Sequence, residues 1–405
     1  REIGLKAIQD NSNLLKEKLI NNEKIANSDF TWIVVGLGGG TGNGSVGTIS
    51  QIVSILMKGE KRYKRRTDAN NNIIHEGYPT VGIIAAIPDK NSTYKIKLNS
   101  ALALREIEIL QEKGLIGAVL LIDNDKLIND FIEKNKKRPQ NIDWVTYGNT
   151  TVAQLLTEIS LLSSLPGTET LDKSEILDIW STPSFLTIGK SKLPPNWLEE
   201  YKERSNIGNE DDQEVINRFI RECFDKQNVF ADGFDFSTAI KGSLAVLAPS
   251  RNKVISTIQS VMMKRALSAV LQSPFLEQIH YGIIQNNITG SFKNPKSADK
   301  VKEAIVYTMC ATKNLPKRIS KMTEEALKSK EIRDKKLQEN NLDTVTGLVG
   351  NKLLENEGSN KNKIINNWDL NSILEGKLYN HAENEKQEKQ RKLSAEEQLD
   401  KILGL

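Results

Sequence analysis

A run of apolar residues, Trp32-Ile33-Val34-Val35, passes without a break into Gly36-Leu37-Gly38-Gly39-Gly40-Thr41-Gly42-Asn43-Gly44 and then into a helix-forming stretch from Ser45 to Met57. Few folds accept that order. Three consecutive β-branched residues suit a strand of a parallel sheet buried on both faces. Six glycines within nine residues allow the backbone positive φ and close approach to a bound group, so that several N–H donors converge on an anion. The helix that follows would aim its free N–H groups and the positive end of its dipole at the same anion. Phosphate is therefore expected at Gly38, Gly39, Gly40, Thr41, Gly42, Asn43 and Gly44.

Two familiar phosphate loops do not fit. A P-loop of the form G-x-x-x-x-G-K-[ST] requires lysine after its second glycine, and Gly39 to Gly44 is followed by Ser45. The dinucleotide fingerprint maps onto Gly42-x-Gly44-x-x-Gly47 only by placing its glycines well past the strand, within the expected helix. An oxidoreductase using it would need an acidic residue such as Asp89 to hold ribose, and would leave the acidic turn described below unexplained.

The segment GGGTGNGS resembles the signature of the tubulin/FtsZ superfamily, and within it the TubZ branch carried by plasmids and phages. Further segments follow in that family's order. Ile116 to Ile128 resembles a strand ending in a nucleotide-facing turn at Asn124-Asp125-Lys126-Leu127. Thr146-Tyr147-Gly148-Asn149 is similar to the start of the family's central helix, where Tyr147 and Asn149 would meet guanine. Thr170-Leu171-Asp172-Lys173-Ser174-Glu175 resembles the acidic loop N-x-D-x-x-[DE], with threonine at its first position. Read from the residues alone, Asp172 and Glu175 also make a helix-capping pair. The runs Asp29 to Ile33, Ser181-Thr182-Pro183 and Leu315 to Ser320 point to the TubZ branch, and the resemblance covers residues 1–335.

The resemblance implies an α/β fold: a parallel-sheet GTP-binding domain over 1–147, lacking its N-terminal part, and a central helix over 148–165. A smaller mixed-sheet activation domain over 166–316 carries the acidic loop, followed by a long helix over 317–339 and a flexible tail over 340–405. Arg1 to Gly4 resembles the end of the loop before the family's third helix, so the first strand and first phosphate loop are expected upstream. The implied activity is GTP hydrolysis to GDP, with Mg2+ neutralising phosphate charge, at the junction of subunits stacked head to tail in a filament. Asp172 and Glu175 of one subunit would polarise water at the glycine loop of the next. The cargo of the TubZ branch is DNA; an FtsZ-like division filament is the alternative with the same chemistry.

Strands are expected at 81–87, 185–189, 243–247, 280–286 and 304–310, with helices at 97–113, 211–226 and 253–271, an alternation that suits a parallel α/β sheet followed by a mixed one. The 405 residues carry a net charge of +4 from nearly balanced acids and bases, which does not argue for direct nucleic-acid binding. Five bases around Tyr63 in residues 61–66 suit a solvated loop or an acidic partner. Cys223 and Cys310 share no metal spacing with His75, His280 or His381 and read as free thiols of a cytoplasmic protein. No apolar run reaches the length of a membrane span. The helix from Lys317 is charged nearly all round and is expected on the surface. The tail is poor in apolar residues, but Leu393 with Ser394-Ala395-Glu396-Glu397 opens a short amphipathic helix. That helix suits docking to a small DNA-binding adaptor of the TubR kind, to the filament, or to its own domain.

Overall fold

The computed structural model describes residues 2–20, 22–57, 66–67, 73–75, 79–137, 142–207, 211–225, 230–249, 255, 257–286 and 303–346. The basic stretch 61–65 and the tail beyond Thr346 lie outside the described residues.

Three helices, α1 (Glu2–Asp10), α2 (Ser12–Ile20) and α3 (Glu23–Asn27), precede β1 (Thr31–Gly36) and α4 (Gly40–Met57). An antiparallel pair, β2 (Arg66–Thr67) and β3 (Ile73–His75), stands apart from the main sheet. The chain continues through β4 (Val81–Ile87), α5 (Tyr94–Glu112), β5 (Ala118–Asp123), α6 (Asn124–Lys137), α7 (Trp144–Leu162), β6 (Gly167–Glu169) and α8 (Lys173–Trp180). It ends with β7 (Ser184–Leu193), α9 (Trp197–Arg204), α10 (Asp212–Asp225), β8 (Ala239–Pro249), α11 (Thr257–Val270), β9 (Gln278–Asn286), β10 (Ala304–Thr312) and α12 (Lys317–Thr346).

Eight of the described strands form one sheet in the order β1-β4-β5-β7-β10-β8-β9-β6. The first four are parallel, with Gly36 opposite Ala86 and Ala118 opposite Ser184. Beyond β7 the sheet is mixed: β10 runs antiparallel to both β7 and β8, β9 is parallel to β8, and β6 is antiparallel to β9. A parallel connection needs a crossover, usually a helix, so α4 and α5 cover the first half. Along β4 the side chains alternate between the two layers: Ile83, Ala85 and Ile87 pack with Val46, Leu104 and Ile107, while Ile84 packs with Leu155, Ile159 and Ile179. A third core under α9, α10 and α11 is built from Trp197, Phe219, Phe224 and Leu267.

Four expectations change. Among the described strands β1 stands at one end of the sheet order and Val34 is 75% exposed: Trp180 of α8 and Phe30 cover Trp32, but no described side chain covers the next residue on that face. The central helix begins at Trp144, capped by Asp143, whose carboxylate accepts the Thr146 N–H at 2.8 Å; that cap, rather than Thr146, sets its start. Strand β6 and helix α9 were not legible, the first being three residues long and the second short and charged. The long C-terminal helix buries a stripe of Ile319, Met322 and Ala326 and packs on α5, so its exposed character is confined to its other faces.

Candidate functional site

The glycine segment lies where expected, at the carboxyl end of the parallel strands, but its geometry is tighter than the composition suggests. The helix α4 already begins at Gly40, so Thr41, Gly42, Asn43 and Gly44 belong to its first turns, and the loop proper is Leu37 to Gly39. None of the loop glycines has positive φ; among the described residues only Asn206, Gly114 and Gly233 do. Glycine is required here by close approach. A Cβ on Gly38 would lie 2.6 Å from Ile96 Cγ2, and one on Gly42 would meet Val35 Cγ2 at 2.9 Å and the Gly36 carbonyl at 3.0 Å. Gly4 of α1 sits against the carbonyls of Gly40 and Thr41, leaving no room for a side chain between the helices.

Gly39, Gly40 and Thr41 are exposed, and a Cβ on Gly39 would meet nothing closer than 3.9 Å. The opening faces the first-turn amides of α4, which lack intrahelical partners. Unpaired amides at a helix start are the kind of group that anions favour. The side chain of Asn43 does not belong to that opening: it is fully buried, donates to the Leu37 carbonyl at 2.9 Å and bonds the Asn99 carbonyl. The dinucleotide reading also fails in place. Gly42, Gly44 and Gly47 all lie within α4, and Gly47 is where the buried Glu106 of α5 crosses.

Asn124 opens α6 at the same end of the sheet, immediately after β5. Its neighbours are occupied. Asp123 is buried and bonded by the Arg318 guanidinium; Arg318 also reaches Asp125 at 3.1 Å and donates to the Pro88 carbonyl at 3.2 Å. Burial raises the Asp123 carboxyl above its ordinary value in spite of that partner. Asp89 follows β4 as expected. Desolvation works to raise its carboxyl, but the Ser92 hydroxyl at 3.0 Å and the Asn91 N–H at 2.8 Å outweigh it and hold it low. Tyr147 is buried against Phe131, with ring centroids 5.6 Å apart, and its hydroxyl accepts from Lys134, whereas Asn149 is exposed. A cleft of about 350 Å³ between α5 and α12, lined by Lys90, Tyr94, Lys97, Arg318 and Lys321 among others, shares no lining residue with the glycine turn.

The acidic turn lies at the other end of the sheet. Asp172 is the N-cap of α8, exposed, and its N–H donates to Glu175 Oε2 at 2.7 Å, the return half of a capping box. Lys173 bridges at 2.5 Å to Asp29, which precedes β1. The end of α8 lies over the start of β5, since a Cβ on Gly117 would meet the Trp180 carbonyl at 2.4 Å. The glycine turn, by contrast, follows the end of β1, where the Leu37 N–H donates to Ala86 at 3.0 Å. The six residues of β1 therefore separate the two groups by about 20 Å, at about 3.3 Å per residue.

Behind Asp172 is a cluster of buried and half-buried charged and polar side chains. His280 of β9 is 4% exposed and stands between two carboxylates, with Nδ1 3.1 Å from Glu175 Oε1 and Nε2 3.3 Å from Asp178 Oδ2. The buried Lys241 pairs with Asp178 at 2.6 Å and approaches Glu277 at 3.8 Å. The spacing Asp172-x-x-Glu175-x-x-Asp178 carried a signal, since residues three apart share a helix face. Among the described residues no group of three or more His, Cys, Asp or Glu side chains forms a metal site, and no helix is long and apolar enough to cross a membrane. Cys223 and Cys310 are buried and unpaired with each other; burial pushes the Cys223 thiol up to about 12.

A parallel strand, glycine turn and helix in a sheet that changes from parallel to mixed across a central helix make up a tubulin-like fold. The chain is a homologue of the TubZ and CetZ proteins. It is 26% identical to the tubulin-like protein TubZ of Bacillus cereus over 321 residues, 77% of this chain and 63% of that protein. It is 20% identical to the tubulin-like protein CetZ of Pyrococcus furiosus over 250 residues, 61% of this chain and 55% of the relative. The chain thus spans less than two thirds of these relatives. The fold matches a GDP-form protofilament of TubZ from Bacillus thuringiensis serovar israelensis with a TM-score of 0.55 at 18% identity, covering 84% of this chain and 78% of that one. It matches a GTPγS-bound protofilament of CetZ2 from Haloferax volcanii with a TM-score of 0.56 at 14% identity, covering 82% and 79%. No family model matches the sequence.

Proposed function

We propose that this protein is a GTPase that hydrolyses GTP only when copies of it stack head to tail, and that the resulting filament segregates plasmid or phage DNA. The observation that carries this reading is the separation of the two half-sites along β1. A turn open to phosphate and an exposed carboxylate sit at opposite ends of one rigid sheet, so one copy cannot bring them together. A second copy stacked along the strand direction can, and a contact of that kind does not close on itself, so it propagates.

In this reading residues 1–147 bind the nucleotide, α7 bridges, and 166–316 present the acidic turn. Gly39, Gly40, Thr41 and the first-turn amides of α4 hold the phosphates, with Gly38 and Gly42 shaping the turn. Asn124, Asn149 and the edge of Tyr147 lie toward the base. Asp172 of the neighbouring copy orients and polarises the attacking water, with Glu175 behind it. Mg2+ would be drawn by the phosphates and would neutralise their charge. DNA segregation, through an adaptor of the TubR kind, is supported by the relation to TubZ rather than by a basic surface, because the chain's charge is nearly balanced.

The test is GTP turnover by full-length protein across a concentration series, with light scattering alongside. Turnover per molecule should rise with polymer mass. Asp172→Ala should bind GTP, assemble and persist as filaments, with turnover reduced about 10²-fold or more. Turnover independent of concentration, or unchanged in Asp172→Ala at matched polymer mass, overturns the reading.

A further inference from the structure

The Asp172 turn is exposed, yet it hangs from a buried polar network. Glu175 uses both carboxylate oxygens inside its own chain: Oε2 takes the Asp172 N–H at 2.7 Å, and Oε1 faces His280 Nδ1 at 3.1 Å. On the other side of the ring, Nε2 faces Asp178 Oδ2 at 3.3 Å, and Asp178 is held in turn by Lys241 at 2.6 Å. Both His280 and Lys241 lie near the starts of paired strands, with Lys241 opposite Gln278 and Ser243 opposite His280. The anchor is therefore part of the sheet. Glu175 and Asp178 sit one turn apart on α8 and both meet the same ring.

A carboxylate is acceptor-only, so each contact needs a proton on the ring nitrogen it faces. The proton that matters for Asp172 is the one on Nδ1. It fixes Glu175, and Glu175 fixes the backbone at the residue that the neighbour would meet. We propose that His280 is a positioning residue: it locks the Glu175 carboxylate, and through it the Asp172 turn, in the orientation needed at a nucleotide held by a second copy of this chain. This rests on the assembly reading above.

Two near-isosteric substitutions separate the ring nitrogens. His280→Asn keeps an amide donor near the Nδ1 position, toward Glu175; His280→Gln keeps one near Nε2, toward Asp178. In full-length protein at matched polymer mass, His280→Asn should retain turnover within about threefold. His280→Gln should lose on the order of 10²-fold, the scale of a misplaced reacting group, with GTP affinity and the assembly threshold little changed. Equal turnover in the two variants, or a loss confined to assembly, overturns the inference. Asp172→Ala run beside them distinguishes the outcomes: if it turns over normally the assembly reading itself fails, and if it alone is inactive only the role of His280 fails.

Should either variant not fold, the unmodified protein gives the same answer. The chain has three histidines, so a selectively 15N-histidine-labelled sample resolves each ring. A proton on His280 Nδ1 is expected, and a bare Nδ1 would overturn the inference.

Discussion

Arg318, in the first turn of α12, closes over Asp123 at the last residue of β5, bonding its carboxylate through both Nε and Nη2. The same guanidinium holds Asp125 and the Pro88 carbonyl. One side chain from α12 thus ties together the ends of the neighbouring parallel strands β4 and β5, and Pro88 in turn lies 3.7 Å from where a Cβ on Gly38 would stand.

Arg318→Met should remove that tie and strand a buried carboxylate, at a cost of about 3 kcal/mol near pH 8 in urea unfolding. The pH dependence has a definite sign. Burial already raises the folded-state value of Asp123, so its stabilising contribution is complete below the ordinary carboxylate value and is lost as pH rises through the raised one. Losing Arg318 raises it further. The gap between variant and parent should therefore be largest at pH 8 and shrink toward pH 4, and a gap that widens in acid would contradict the assignment.

Gly38 and Gly39 are adjacent but should behave oppositely. Gly38→Ala forces a Cβ to 2.6 Å from Ile96 Cγ2, on a β-branched side chain with little rotamer freedom, and should destabilise the protein by about 1–3 kcal/mol. Gly39→Ala places its Cβ in ordinary contact, 3.9 Å from the Gly36 carbonyl, and should change stability by less than about 0.5 kcal/mol, while weakening the binding of a fluorescent GTP analogue. Thermal unfolding and a fluorescence titration on the same two samples check both halves.

Mixing tests whether the half-sites belong to different copies. A Gly39→Trp variant blocks the opening but keeps its acidic turn, and Asp172→Ala keeps the opening but lacks the acid. Each alone should be nearly inactive. Combined, copolymers should recover GTP turnover, because each variant supplies what its neighbour lacks. Failure to recover despite co-sedimentation would argue that both groups act within one copy.

The tie between α7 and the mixed half of the sheet is a buried triad. Glu158 accepts from Lys190 at 2.5 Å and from the Tyr307 hydroxyl at 3.0 Å, and burial, first, with the nearby Glu158 charge pushes that phenol well above its ordinary value. Tyr307→Phe should cost about 1.5–3 kcal/mol, the range for a hydrogen bond to a charged group. Because Lys190 still neutralises Glu158, the variant should remain folded at 25 °C; Lys190→Met should be the more damaging change.

The residues that announced themselves in the sequence did so through composition or period. Ile33 to Gly44 gave strand, turn and helix because apolar β-branched runs and glycine clusters have few other uses. The alternation of buried runs at Val81 and Ala118 with helices marked the parallel half. What remained hidden depended on partners far along the chain. Asn43 reads as a loop ligand until Leu37 and Asn99 claim its amide. His280, 105 residues beyond Glu175, carries no local pattern that pairs it with an acid, and Arg318 lies 195 residues from Asp123. Single polar residues joined across such separations leave no periodic trace.

The placement of the glycine turn and Asp172 at opposite ends of β1 also bears on how a polymer of this protein would end. Every interior junction would contain both groups, but the two tips would differ: one would present carboxylates with nothing to act on, the other a bound nucleotide beyond the reach of any acid. The count of spared nucleotides would then be fixed at one per strand, whatever the filament's length. A short filament would carry proportionally more unspent GTP than a long one, so shearing a preparation without adding protein should slow its phosphate release.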